Sequence, residues 1–109
     1  IAGLIAVESE YNRQAVSSSG AKGLGQLMPV NLRGYGVVDP FDIAQNLRAS
    51  IRLIKELADT WNGDMNFALA SYFEGVNAIK RNRGNPFSTK TANYVYRVYG
   101  KYNAMKQYL

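Results

Sequence analysis

The chain has no cysteine and no histidine among its 109 residues. The lack of cysteine excludes disulfides, thiol catalysis and thiolate metal sites. The lack of histidine excludes Ser-His-Asp catalysis and removes the usual ligands of zinc. Acid–base chemistry would therefore fall to Glu, Asp, Lys or Tyr, and we expect neither a cofactor nor a metal site.

Long apolar runs are also missing. The hydrophobic fraction of 47% is ordinary for a globular protein, and no run is long enough to span a membrane. The length predicts one domain, residues 1–109, with a modest core. Because Ile1 already lies in a helical pattern, we expect the domain to belong to a longer chain, in which any signal or anchor lies outside it.

Acidic residues are in the minority. The chain has 13 Lys and Arg against 8 Asp and Glu, which gives a formal net charge of +5. This excess favours an anionic partner, which could be nucleic acid, anionic lipid or an acidic polymer. Charge alone does not choose among these three.

No stretch alternates apolar and polar residues for long enough to predict a strand. Apolar residues recur instead at helical spacing, which predicts an all-α fold of about five helices around one core. Helices are expected over residues 1–14, 26–33, 43–61 and 65–79, and from 88 or 89 onward. Asp42 (with Gln45 completing a capping box) and Asp64 are predicted N-caps, and Gly63 a left-handed C-cap.

Each expected helix has an apolar stripe that should face the core. The tyrosines near the end of the chain are mostly expected to be core as well. The stripes comprise Ile1, Leu4 and Ile5; Ile43, Leu47, Ile51, Ile54 and Leu57; Met65, Leu69, Tyr72, Val76 and Ile79; and Tyr94, Val95, Val98, Tyr102 and Met105. The tyrosines in question are Tyr94, Tyr96, Tyr99, Tyr102 and Tyr108.

Glu8 continues the apolar stripe of the first helix, whereas Glu10 lies about 200° around that helix, on the side expected to face water. Burying an unpaired charge is costly, so a carboxyl group on an apolar face tends to keep its proton. A protonated acid near neutral pH is what general acid catalysis requires. Glu8 is therefore a candidate general acid, although a carboxylate at the edge of the stripe, or one capping a neighbouring helix, is the commoner case.

A series of short motifs resembles the catalytic domain of the soluble lytic transglycosylases, which has a goose-type lysozyme-like fold. The resemblance covers nearly the whole chain in the family's order and spacing. The motifs are Glu8-Ser9, Ala15-Val16-Ser17, Gly20-Ala21-Lys22-Gly23-Leu24, Gln26-Leu27-Met28-Pro29, Asp39-Pro40-Phe41-Asp42, Gln45-Asn46, Ala68-Leu69-Ala70-Ser71-Tyr72 and Asn93-Tyr94-Val95.

The resemblance implies a reaction. The family cleaves the β-1,4 bond between N-acetylmuramic acid and N-acetylglucosamine in peptidoglycan and forms a 1,6-anhydro sugar without consuming water. It implies that Glu8 first protonates the leaving oxygen, that the substrate's N-acetyl group stabilises the cationic centre, and that Glu8 then takes a proton from the C6 hydroxyl. It also implies a monomer that acts on glycan strands in the periplasm, cell envelope or extracellular space, in bacteria or phage, with no nucleic-acid partner.

Other site residues follow from the resemblance position by position. Ser17 matches a serine near the catalytic acid and the N-acetyl group, although a turn serine is the alternative. Gln26 and Met28 match groups that line the sugar cleft, although Met28 could equally be core. Tyr72 and Tyr94 match two cleft tyrosines, each of which could instead be structural.

The chain also departs from the family pattern. Phe73 and Glu74 stand where the family has Asn and Ala, so the cleft wall loses an amide and gains a ring. Lys90 stands where the family often has a glutamate that contacts the sugar, and Glu74 is a candidate replacement. Gly25 stands where a Met is usual, which could widen the cleft. These departures affect the substrate subsites more than they affect Glu8.

Three alternatives remain open. A muramidase, which lets water attack, would need a second carboxylate across the cleft. A nucleic-acid or polymer-binding module would use the basic residues near the last helix. A degenerate domain would bind peptidoglycan without cutting it. The carboxylate candidates are Asp39, Asp42, Glu56, Asp64 and Glu74; the basic residues are Lys80, Arg81, Arg83, Lys90, Arg97 and Lys101.

Overall fold

The computed structural model of the chain describes residues 1–82 and 85–106. Within these ranges there are six helices and no strand, so the predicted all-α class is confirmed. The helices are α1 (Ala2–Ser9), α2 (Pro29–Gly34), α3 (Ile43–Thr60), α4 (Met65–Glu74), α5 (Val76–Arg81) and α6 (Thr89–Lys106). None of the helices in this part of the chain combines the length and the apolar character needed to cross a bilayer.

The first helix is shorter than predicted. It ends at Ser9 instead of near Gln14, because Glu10 (φ 53°) and Tyr11 (φ 63°) both take left-handed backbone conformations. The backbone N–H of Glu10 donates to the carbonyl of Ala6 at 3.0 Å and caps the helix end. Glu8 therefore lies in the last turn of α1.

The second helix begins later than predicted. Instead of starting at Gln26 it starts at Pro29, whose fixed φ suits the first position of a helix. Gln26 itself has a left-handed φ of 51°, and Leu27 pairs with Lys22 through two backbone hydrogen bonds. Residues 15–27 form a compact loop that lies between α1 and α2.

The predicted caps of α3 and α4 are confirmed. The Asp42 carboxylate accepts from the N–H of Gln45 at 3.0 Å, and Asp64 accepts from two N–H groups of α4. The reciprocal half of the predicted capping box is wrong, because the Gln45 side chain accepts from the N–H groups of Val38 and Asp39 instead. Gly63 has the expected left-handed φ, of 84°.

Residues 65–79 form two helices rather than the single one predicted. The break is at Gly75, whose φ of 95° is unfavourable for a residue with a side chain. The C-terminal end of α4, residues 72–74, is therefore at a bend in the chain. The following helix α5 ends at Arg81, two residues beyond the predicted end at residue 79.

The stripes predict part of the core correctly and part of it wrongly. Buried residues that were predicted include Leu4, Ile5, Leu57, Leu69, Ile79, Tyr94, Val95 and Val98. Predicted core residues that are exposed instead are Ile1, Ile43, Ile51, Met65 and Tyr102, as are Tyr96 and Tyr99. Tyr108 and Arg83 lie outside the described residues.

The buried face of α3 explains one of these errors. Two polar residues, Asn46 and Ser50, are fully buried there, while the apolar Ile51 is 39% exposed. Asn46 uses its whole amide on the loop beside it: Oδ1 accepts from the N–H of Gly25 at 2.8 Å, and Nδ2 donates to the carbonyls of Lys22 (3.1 Å) and Pro40 (2.9 Å). A buried amide that is fully hydrogen-bonded fixes its partners strongly. Asn46 therefore holds the loop against α3.

Gly25 has no room for a side chain, so the expected widening of the cleft at this position is wrong. A Cβ atom there would lie 1.9 Å from Ser50 Oγ and 2.8 Å from the Tyr72 hydroxyl. Its backbone is held on both sides, since its N–H donates to Asn46 and its carbonyl accepts from the Tyr72 hydroxyl at 2.7 Å. In this chain Ser50 and Tyr72 fill the space that a side chain at position 25 would need.

Gly25→Ala should therefore destabilise the protein by about 1–3 kcal/mol, the usual cost of overpacking a close-packed site. Gly34→Ala is the matched control, because Gly34 ends α2 and nothing lies within 4 Å of the added Cβ. The control should be neutral or slightly stabilising. Urea unfolding midpoints measure both changes. Equal midpoints for the two variants would show that the contact with Ser50 is not tight.

Candidate functional site

The two acids of the first helix have different environments, as the sequence predicts. Glu8 is half-buried, whereas Glu10 is exposed. Burial raises the pKa of Glu8 from its ordinary 4.5 to about 7, and a hydrogen bond from Tyr94 acts in the opposite direction. Glu8 is therefore able to hold and release a proton near neutral pH.

The partner of Glu8 comes from the other end of the described chain. Tyr94, buried on α6, donates its hydroxyl to Glu8 Oε2 at 2.8 Å. Burial and the neighbouring Glu8 carboxylate raise the pKa of Tyr94 far above its ordinary value. The tyrosine therefore stays protonated and remains a hydrogen-bond donor over the pH range in which Glu8 titrates.

A groove of about 920 Å³ runs past α2 and α3 to the junction of α4 and α5. Four of the residues singled out from the sequence line it: Met28, Tyr72, Phe73 and Glu74. Met28 is 39% exposed, so the alternative that it is a core residue is wrong. The remaining lining residues are Ser19, Val30, Asn31, Leu53, Leu57, Ser71, Gly75, Val76, Asn77, Ala78 and Arg81.

Two neighbouring residues connect Glu8 to the wall of this groove. The ring of Phe73 stacks on the ring of Tyr94, with centroids 4.6 Å apart and an interplanar angle of 21°. Tyr72 is close enough to Glu8 for the carboxylate charge to raise the tyrosine's pKa, although burial is the larger cause. Glu8 itself is not among the residues that line the groove; its link to the wall is Tyr94, whose ring stacks on Phe73.

Tyr72 and Phe73 have different roles in the wall of the groove. The Tyr72 hydroxyl donates to the carbonyl of Gly25 and ties the loop of residues 15–27 to α4. The Phe73 ring is 41% exposed, with one face on Tyr94 and part of its surface in the groove. The Phe73 ring is thus an apolar surface that stacks on Tyr94, the hydrogen-bond partner of Glu8, and also lines the groove.

Ser17 and Gln26 organise the loop. Ser17 Oγ accepts from the N–H groups of Ser19 (3.2 Å) and Ala21 (3.0 Å), which is the pattern of a turn serine. The Gln26 amide nitrogen donates to the carbonyls of Ala15 (3.1 Å) and Gly23 (2.9 Å). In this turn Ser19 lines the groove and Ser17 does not. A role for Ser17 or Gln26 in binding substrate stays a prediction.

Glu74 and Lys90 are both exposed, and they differ in their contacts. Glu74 Oε1 accepts hydrogen bonds from the hydroxyls of Ser88, at 3.2 Å, and of Thr91. Lys90 lies in the first turn of α6 and is not among the groove-lining residues that the structure describes. The other described members of the predicted basic cluster, Lys80, Arg81, Arg97 and Lys101, are exposed as well.

Two functional residues were missed, Asn46 and Ser50. They belong to an otherwise amphipathic helix, and their position one turn apart on its buried face was the available signal. Arg81, named above only as one of the basic residues, ends α5 and lines the groove. Within residues 1–82 and 85–106, no three acidic side chains come together as metal ligands would.

Comparisons with known proteins agree with these features. A family model of the transglycosylase SLT domain matches residues 1–104. A transglycosylase of Enterobacteria phage PRD1 is 39% identical over 77 residues, which is 71% of this chain and 29% of the phage protein. The membrane-bound lytic murein transglycosylase F of Desulfosudis oleivorans is 35% identical over 86 residues, and that of Yersinia pseudotuberculosis 36% identical over 94 residues. These matches cover 73% and 74% of this chain and 19% of each relative.

The chain thus spans only 19% to 29% of the length of these relatives. The family model, by contrast, matches nearly all of the chain, including α1 with Glu8 and α6 with Tyr94. The sequence motifs, the all-α fold and this match agree, and the chain belongs to the transglycosylase SLT domain family.

Proposed function

We propose that this domain cleaves the β-1,4 bond between N-acetylmuramic acid and N-acetylglucosamine in peptidoglycan, with Glu8 as its single acid and base. The observation that carries the proposal is the Glu8–Tyr94 pair: a carboxyl group with a pKa of about 7, hydrogen-bonded to a tyrosine whose ring stacks on the groove-lining Phe73. Membership of the family and the name lytic murein transglycosylase of two relatives support the substrate class.

The reaction begins with Glu8 protonated. Glu8 donates its proton to the glycosidic oxygen, and the bond from that oxygen to C1 of the N-acetylmuramic acid breaks. As in the family that the sequence resembles, the substrate's own N-acetyl group stabilises the cationic centre, so no second carboxylate is required. Glu8, now a carboxylate, takes the proton of the C6 hydroxyl, whose oxygen bonds to C1 and closes the 1,6-anhydro ring. No water is consumed.

One residue that serves as acid and then as base needs a small free-energy difference between its two protonation states at working pH. Burial favours the protonated form of Glu8, and the Tyr94 hydroxyl favours the carboxylate by hydrogen bonding to it. These opposing effects place the pKa of Glu8 near 7. Tyr94 is therefore a positioning residue that stabilises the carboxylate between the two proton transfers.

The groove supplies the binding surface in this proposal. Met28 and Phe73 offer apolar area to the faces of sugar rings, and Tyr72 lies between the groove and the loop. Ser17, Gln26 and Lys90 stay proposed as more peripheral contacts of the sugar. The Glu8–Tyr94 pair forms within one chain, so the proposed reaction needs no second copy of the protein. The proposed site of action is the bacterial cell envelope.

Hydrolysis of the same glycosidic bond is the second candidate function, and the position of one carboxylate supports it. Of the five carboxylates that could activate water, Glu74 lines the groove. The other four are engaged elsewhere: Asp39 with the N–H of Phe41, Asp42 and Asp64 as helix caps, and Glu56 with the Tyr35 hydroxyl. A muramidase would therefore use Glu74 as its base.

Mass spectrometry of the products from purified peptidoglycan tests the proposal. We expect muropeptides that are lighter by one water than hydrolysis products. Glu8→Gln should lower the rate by about 10²- to 10⁴-fold, because it removes the proton that is transferred. Glu10→Gln is the matched control: it removes the same charge two residues away on an exposed side chain and should retain the rate. Hydrated products, or an active Glu8→Gln variant, would contradict the assignment.

The pH dependence should follow the raised pKa of Glu8. Since the free enzyme must enter the reaction with Glu8 protonated, kcat/KM should be level below pH 7 and fall above about pH 7. An unshifted carboxyl group would place this fall near pH 4.5. A pH–rate profile on soluble glycan fragments measures the midpoint. A kcat/KM that keeps rising through pH 8 would exclude Glu8 as the acid.

Phe73→Asn should move that midpoint to lower pH by about half a unit to one unit. The ring covers Tyr94, and its removal admits water to the Glu8–Tyr94 pair, which reduces the burial that holds the pKa of Glu8 up. Phe73→Leu keeps an apolar cover and should leave the midpoint within experimental error of the wild type. If the wild type, Phe73→Asn and Phe73→Leu have equal pH midpoints, residues other than Phe73 are responsible for the burial of Glu8.

A further inference from the structure

A second, more polar pocket opens from the end of the groove. Its volume is about 290 Å³, and it is lined by Glu74, Ala78, Arg81, Asn82 and Ser88. Glu74, Ala78 and Arg81 also line the groove, so the pocket and the groove share a wall. A ligand held in the groove therefore has direct access to the pocket.

The carboxylate of Glu74 is held in a fixed position at this shared wall. Its Oε1 accepts from the hydroxyls of Ser88 and Thr91, and Thr91 is fully buried. Ser88 in turn caps α6, because its Oγ accepts from the N–H of Thr91 at 3.2 Å. No hydrogen bond from a described residue reaches the second oxygen, Oε2. One oxygen is thus anchored, while the other remains free to accept from a ligand.

Arg81 supplies the opposite charge to the same pocket. It is the last residue of α5, is exposed, and forms no ion pair with any residue in the described ranges. Glu74 and Arg81 both line the pocket, yet they do not form a salt bridge with one another. The pocket therefore presents an anion and a cation at separate positions, and neither forms an ion pair with a residue in the described part of the chain.

A neutral sugar does not require two separate opposite charges, whereas a short peptide with a free amino group and a free carboxylate does. Peptidoglycan strands carry short peptides of this kind. Resting on the function proposed above, we infer that this pocket binds the charged groups of the peptide branch, with an ammonium at Glu74 and a carboxylate at Arg81. Glu74 stands where the family pattern has Ala, so the site belongs to this chain and not to the family as a whole.

The consequence is a preference for glycan strands that carry peptides over strands that have been stripped of them. The sugar backbone enters the groove in both cases, and the peptide adds contacts in the pocket only when it is present. Losing one charge-assisted hydrogen bond costs about tenfold in binding. We expect the wild-type kcat/KM to be higher on peptide-bearing strands by about that factor or more.

The experiment compares kcat/KM on intact strands and on strands whose peptides an amidase has removed. Arg81→Gln should lower the ratio of the two values about tenfold, because it removes the partner of the peptide carboxylate. Lys80→Gln is the matched control: it removes the same charge from the neighbouring exposed residue of α5, which does not line the pocket. The control should keep the wild-type ratio. Equal ratios for wild type and Arg81→Gln would overturn the inference.

Binding gives a readout that does not depend on cleavage. In an NMR titration, a synthetic branch peptide with free amino and carboxyl groups should shift the resonances of residues around Glu74 and Arg81. Glu74→Gln or Arg81→Gln should weaken this binding about tenfold, and Lys80→Gln should not. Peptide binding without any glycan cleavage would refute the proposed function and support the pocket. Glycan cleavage with neither peptide binding nor a preference for peptide-bearing strands would support the proposed function and refute the peptide site in the pocket.

Discussion

The hydrogen bond between Tyr94 and Glu8 is the contact on which the rest of this structure depends. It joins the last turn of α1 to the second turn of α6 at 2.8 Å. A half-buried carboxyl group with no donor would simply stay protonated, and an exposed one would simply stay ionised. The combination of burial with one phenolic donor brings the pKa of Glu8 to about 7. The stacking of Phe73 on Tyr94 helps to hold the tyrosine in this position beside Glu8.

A second buried polar side chain, Asn46, fixes the backbone of two segments next to α3. Its amide makes hydrogen bonds to Gly25 and Lys22 in the loop of residues 15–27, and to Pro40 just before α3. The Tyr72 hydroxyl then adds a bond from α4 to the same loop through the carbonyl of Gly25. Fully satisfied buried networks of this kind are rigid and specify one arrangement. The groove therefore has one wall set by hydrogen bonds and another set by the packing of aromatic rings.

Much of this could be predicted from the sequence, and the failures have a common cause. The stripe that carries Glu8, the caps Asp42 and Asp64, and the centre of the core depend on local spacing, which the sequence contains. The early end of α1 at Ser9 and the break at Gly75 depend on left-handed or otherwise unusual backbone, for which Glu10 and Tyr11 give no compositional signal.

In the candidate site, too, residues could be predicted from local motifs, whereas the contacts between them could not. Glu8 and Tyr94 could be named from the motifs, but the bond between them could not, because they are 86 positions apart. The stack of Phe73 on Tyr94 and the bonds of Asn46 are also long-range. The resemblance to the family even misled at Gly25, since a missing side chain suggested open space. In the structure, neighbouring residues fill that space.

The packing of α1 on α6 has a consequence for how the protein folds. Gly3 lies so close to α6 that a Cβ atom would be 2.7 Å from the carbonyl oxygen of Val98, so the two helices meet backbone to backbone. They come from opposite ends of the sequence, and bringing them together closes a long loop, an entropic cost that is recovered only when the contact is complete. Hairpins of neighbouring helices such as α3 and α4 close shorter loops. The environment that raises the pKa of Glu8 exists only where α1 and α6 have come together, since its hydrogen-bond donor Tyr94 lies on α6.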